Sequence, residues 1–173
     1  APLMTHLIAL KSGTELVGDF RITRVLGAGG FGITYLADEL ALGRAVTSST
    51  SSGHFAGGPS IAVGCEDGKV YVMDTAGHGR PGFPISTAFA VTGAPAFADV
   101  DDDGANDLVV ASQDFSVNVV DARGRSLKGF PYKASYRIYE GPAIADVTGD
   151  ARLELAFASA DGQLHLVDAA GKP

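Results

Sequence analysis

Four of the aspartates in one short segment, Asp99, Asp101, Asp103 and Asp107, fall in the pattern D-x-D-x-D-G-x-x-D. Acidic side chains spaced this way in a tight loop can turn their oxygens inward on one point, where a hard divalent cation is the matching ligand. Gly104 permits the sharp bend, and the backbone carbonyl of Ala105 is placed to add an oxygen. The chemistry expected here is calcium binding in a structural role, the alternative being a solvated acidic turn with no ion. A thinner version recurs at Asp146, Thr148, Asp150 and Glu154, where Ala151 replaces the glycine and Thr148 brings no charge. One spacing earlier the corresponding places are Ser52, His54, Ala56 and Ser60, with no carboxylate, so no site is expected there. A different chemistry is suggested by Gly27, Gly29 and Gly32, with Phe31 among them, since a G-x-G-x-x-G loop can lay backbone amides over phosphates. The residues after this loop are β-branched and aromatic, which points to a strand and away from the helix of a dinucleotide fold.

Other reactive residues offer less. His6, His54, His78 and His165 never fall at metal-ligand spacing, and no G-x-S-x-G elbow occurs. Cys65 is the single cysteine, which rules out an intrachain disulfide and reads as a small buried residue. The net charge of −7, with 13 scattered basic residues, argues against a nucleic-acid partner. The apolar run at 3–10 is too short for a signal peptide, and the uncharged stretch 45–65 is too rich in Ser and Gly to span a membrane.

The elements that must hold the acidic loop are set by an internal repeat. Asp67, Asp114 and Asp161 recur at a step of 47, as do Asp74, Asp121 and Asp168, and Gly77, Gly124 and Gly171. Phe83-Pro84 returns at Phe130-Pro131, and Pro95-Ala96 at Pro142-Ala143. In the complete copy, four strands are expected at Pro95–Val100, Asp107–Ser112, Ser116–Asp121 and roughly 126–131. The middle pair alternates around a turn, and four strands in 47 residues is the size of one propeller blade. The fold class expected is therefore all-β, with about 2.4 four-stranded blades over 59–173. Tyr132, Tyr136 and Tyr139 are expected to pack between blades, with a binding surface as the alternative.

The string from Pro95 to Val110, with its acidic loop, resembles an FG-GAP or VCBS repeat, the blade type of integrin α-subunit propellers. The likeness covers 59–173 and combines the period, the loop and the Gly-Phe-Pro ending. An EF-hand is a poorer match, because the glutamate it needs at loop position twelve is Val110 here. The resemblance implies an extracellular or periplasmic parent that works by binding, often with calcium. The partner implied is a protein or peptide, or another blade edge in self-association, since so few blades cannot close a ring.

Residues 15–46 resemble the glycine-rich start of a bacterial Ser/Thr protein kinase, from Val25 to Ala37 and on through Leu42-Gly43-Arg44. In that family Gly27, Gly29 and Gly32 would cover ATP phosphates, with Phe31 at the tip. The following lysine is missing, the chain running instead into Thr47-Ser48-Ser49-Thr50-Ser51-Ser52-Gly53, and no H-R-D motif exists. Asp114-Phe115-Ser116 resembles D-F-G only by falling in the repeat's turn. The organisation expected is a tail at 1–14, a kinase-like hairpin at 15–46, a Ser/Gly linker at 47–58 and blades at 59–173, with the hairpin supplying strands to the first blade. The chain is read as a non-enzymatic, calcium-stabilised binding or scaffold module. The alternatives are a kinase-related ATP-binding regulator, catalytically dead, and a recombined chimera with a fold and no evolved function.

Overall fold

The computed structural model describes residues 12, 15–16, 20–29, 32–39, 44–55, 57–74 and 76–173. The described residues form an all-β protein of antiparallel strands, and none of them is helical. No helix of the described residues is therefore long and apolar enough to cross a membrane. A seven-stranded sheet comes first, in chain order: β1 (Glu15–Leu16), β2 (Phe20–Gly29), β3 (Gly32–Glu39), β4 (Arg44–Phe55), β5 (Gly58–Gly64), β6 (Lys69–Asp74) and β7 (Ile85–Ser86). A four-stranded sheet holds β8 (Ala96–Ala98), β9 (Asp107–Ala111), β10 (Ser116–Val120) and β11 (Tyr132–Lys133). The third sheet holds β12 (Ala143–Ala145), β13 (Glu154–Ala158) and β14 (Leu164–Val167).

Two turns, repeated at the 47-residue step, explain the recurring aspartates. After β5, β9 and β13 the chain reverses through a loop whose last residue is left-handed: Gly68 (φ 81°), Phe115 (φ 71°) and Gly162 (φ 81°). In each loop the aspartate accepts the backbone amide two residues on, at 2.8 Å for Asp67 and Lys69, 3.0 Å for Asp114 and Ser116, and 3.2 Å for Asp161 and Gln163. After the next strand, Asp74 accepts the amides of Ala76 and His78, Asp121 those of Arg123 and Arg125, and Asp168 those of Ala170 and Lys172. A carboxylate at these places replaces backbone acceptors that the turn cannot supply, so the sequence keeps it.

The middle strands are covered on both faces. Leu108, Val110 and Val120 of the second sheet pack against Ala62, Val70, Val72 and Phe55 of the first. The neighbouring residues Val109, Ala111, Val117 and Val119 point the other way, onto Leu155, Phe157 and Val167 of the third. Burying each Val, Leu or Phe side chain among them contributes about 1.5–3 kcal/mol relative to exposure, so these two interfaces are a main source of stability. Sheet contacts also repeat at the glycines. A Cβ on Gly82 would lie 2.0 Å from the Arg123 carbonyl oxygen, and one on Gly129 would lie 2.0 Å from that of Ala170. The Phe83–Pro84 and Phe130–Pro131 peptide bonds are both cis.

Four expectations are corrected. Most of the stretch expected as a 47–58 linker is strand: β4 runs to Phe55, and its 44–50 part pairs with β3 while its 49–55 part pairs with β5. The 20–38 hairpin does not pair with 59–74; β4 lies between, and it is β4 that gives the first unit its opening strand. The fourth strand of the second unit is Tyr132–Lys133 and not 126–131, where Ser126 makes only an isolated bridge to Val120. Tyr136 and Tyr139 are exposed, while Tyr132 alone of the three packs, edge-on to Phe157.

Candidate metal centre

The acidic loop closes over its own ends, because Ala98 at the end of β8 pairs with Asp107 at the start of β9. Between them the chain turns on two left-handed residues, Asp102 (φ 59°) and Gly104 (φ 86°). Asp99 anchors the turn by accepting the Asp103 amide at 3.0 Å on Oδ1 and the Gly104 amide at 2.9 Å on Oδ2. Asp107 sits beneath, 3% exposed, with Oδ2 accepting the Val100 amide at 3.0 Å. One carboxylate oxygen from each of Asp99, Asp101 and Asp107 falls within 4.8 Å of the others. Asp103 is outside this group; its Oδ1 accepts the Ala105 amide at 2.8 Å, which places both residues in the turn.

The electrostatics follow from this convergence. Burial pushes the Asp107 carboxyl up to about 6, and the charges of Asp101 and Asp103 push the same way against the Val100 amide. Three acidic groups facing one point in a partly dry site are relieved by a proton or by a cation. Oxygen donors alone suit a hard ion of the calcium or magnesium class. Among the described residues this is the one group of three or more His, Cys, Asp or Glu side chains able to converge on an ion.

The second loop has the same backbone with a different filling. Gly149 (φ 80°) and Ala151 (φ 68°) take the left-handed places of Asp102 and Gly104, and Asp146 accepts the amides of Gly149 and Ala151. Asp150 Oδ1 accepts the Arg152 amide, as Asp103 accepts that of Ala105. Glu154 stands where Asp107 does, and its oxygens accept the amides of Val147 and Thr148 and the Thr148 hydroxyl, at 2.9, 3.2 and 3.3 Å. Thr148 thus donates to the glutamate where Asp101 brings a charge. The first unit lacks the loop altogether. Gly53 pairs with Ser60, whereas Ala98 pairs with Asp107, so the connection between these pairs is two residues shorter. Of the four counterparts expected by spacing, only Ser60 keeps its place; Ser52 and His54 shift by two, and Ala56 lies outside the described residues. The short turn is held by Arg80, whose guanidinium donates to the carbonyls of Gly57, Gly58 and Pro59. Asn106 of the acidic loop reaches it too, donating to the His54 carbonyl at 2.9 Å.

The two acidic loops face each other across a groove of about 590 Å³, lined by Asp99, Asp101 and Asp102 on one side, Asp150, Arg152 and Glu154 on the other, and Asp168 beyond. Spacing within one repeat gives no sign of this juxtaposition. A second feature missed in the sequence is a hydrogen-bond chain: Tyr132 Oη lies 3.1 Å from His165 Nδ1, and His165 Nε2 lies 2.9 Å from Ser159 Oγ, which donates to Asp161. His165 also stacks on Phe157, a packed position rather than a metal ligand's. Cys65 is buried, and that burial raises its thiol to about 11, away from any nucleophilic role at neutral pH. Of the glycine loop, Gly27 pairs with Thr34 and Gly29 with Gly32 in the β2–β3 hairpin, and Phe31 lies outside the described residues. Compared with known proteins, the chain matches no family model, no curated protein and no solved structure.

Proposed function

We propose that residues 44–173 are consecutive propeller-type blades forming a non-catalytic binding or scaffold module, stapled by a calcium ion in the 99–107 loop. Three features support the blade reading. The strands of each unit follow chain order, their first strands β4, β8 and β12 adjoin one another, and the sheets pack face to face through repeated cores. Equivalent connections also touch, with Thr92 Oγ1 donating to the carbonyl of Tyr139, its counterpart 47 residues on. The observation that carries the calcium reading is the convergence of Asp99, Asp101 and Asp107 beneath a loop that buries one of them. A bound ion would offset a repulsion that otherwise falls on the folded state alone. At a hundredfold excess over its dissociation constant it adds about 2.7 kcal/mol of stability. Thermal unfolding with calcium and with chelator tests the reading: a rise of several degrees with calcium is expected, lost in Asp101→Ala. An equal melting temperature in calcium and chelator for the unsubstituted protein would leave the loop a turn without an ion.

A further inference from the structure

The outer face of β14 repeats a surface that is covered twice elsewhere in the chain. Leu164 and Leu166 stand at the same steps of the repeat as Val70 and Val72 on β6, and as Val117 and Val119 on β10. The first valine pair is packed by Leu108, Val110 and Val120 of the second sheet, and the next by Leu155, Phe157 and Val167 of the third. All four valines are at most 1% exposed, whereas Leu164 is 78% and Leu166 43% exposed. The strand edge differs in the same sense. β6 carries β7 and β10 carries β11, while β14 pairs with β13 alone among the described residues.

We propose that this face docks one further four-stranded unit of the same repeat, presenting apolar side chains where the third sheet presents Leu155, Phe157 and Val167. The occupant follows from continuity, since the same contact is made twice in succession at the same register. A second copy of this chain joined head to tail lacks the counter-surface. Its matching residues Ile61, Val63 and Met73 are already buried at 3%, 2% and 0% exposure. The inference rests on the blade packing of the proposed function and not on its calcium loop.

The full chain, extended after Pro173 by a copy of its own residues 127–173, keeps the 47-residue step: the copy of β11 completes the third sheet, and the copies of β12, β13 and β14 supply the facing strands of such a unit. Hydrogen exchange is read at the amides of 164–167, with calcium and with chelator, in extended and unextended proteins. Exchange in the extended protein should slow by roughly tenfold or more. Leu164→Asp should abolish that slowing, yet leave the melting temperature of the unextended chain unchanged, because the side chain is exposed there. Unchanged exchange on extension overturns the inference, as does equal slowing in the substituted protein. Protection in the unextended chain that grows with concentration and is lost in Leu164→Asp overturns it by making a second copy the occupant. Fast exchange at 116–120 in β10 of the unextended chain overturns the sheet packing itself, and so separates that failure from the inference built on it.

Discussion

Asp107 couples the loop to solution pH in a direction opposite to most of the chain's aspartates with shifted pKa. Its carboxyl in the folded protein titrates at about 6, above the value of about 3.9 expected when unfolded. The ion-free fold therefore has this group's full stabilising effect only below about pH 4 and loses it as pH rises through 6. Asp74, held low chiefly by the His78 amide, and Asp161, held low chiefly by the Ser159 hydroxyl, lose theirs only as pH falls below about 4. Among the described carboxyls with shifted values, the window from 4 to 7 thus belongs to Asp107. In chelator, the melting temperature is expected to fall across it, and Asp107→Asn to flatten that slope. An unflattened slope in the variant would place the charge conflict elsewhere. That several aspartates share one loop is legible in the sequence; which three converge is not. Asp103 is drawn off by the Ala105 amide, and that follows from the backbone left-handedness at 102 and 104.

At the scale of single elements, the turns are more legible in the sequence than the strands. Aspartate and glycine recurring at fixed places announce turns, because few other residues satisfy the same amides or take the same φ. Where the repeat breaks that pairing, the backbone keeps its course. Ala151 sits left-handed where Gly104 does, a conformation that costs a residue bearing a Cβ roughly 1–2 kcal/mol. Ala151→Gly should raise the unfolding free energy from denaturant titration by an amount near the lower end of that range, and a lowered value would mean the methyl group makes a contact that outweighs the strain. Strand β4 is hidden in the sequence for a physical reason. Its Thr and Ser run has no apolar alternation, and the two-residue shortening of the next turn takes it out of the 47-residue register. Strands of two residues, such as β7 and β11, are too short to leave any pattern.

Across the whole molecule, the sheets approach closely enough that only glycine fits at two equivalent places. Gly129→Ala would set a methyl 2.0 Å from the Ala170 carbonyl oxygen, so the third sheet must move or the backbone distort. Overpacking of this kind costs about 1–3 kcal/mol. Gly149→Ala is the control, since Gly149 is also left-handed but has nothing within 4 Å of its added carbon. Chemical denaturation should show the first variant losing clearly more stability than the second; equal losses would trace both to φ alone. The repeat made this stacking legible in outline, because it set equal units side by side. The double-sided burial of β9 was not legible, because a strand covered on both faces carries no alternation to read.

Arg80 gives the stack a polarity. Its guanidinium, donating to three carbonyls of the short 57–59 turn, is a positive charge fixed covalently to the protein at the place where the next unit carries its acidic loop. If the 99–107 loop is held by a dissolved ion, neighbouring units answer to different masters. The first keeps its clasp in any medium, and the second is fastened only where the ion is plentiful. A swing in ion concentration would then act as a hinge pin drawn from the middle of the array, loosening the second unit while the first stays shut.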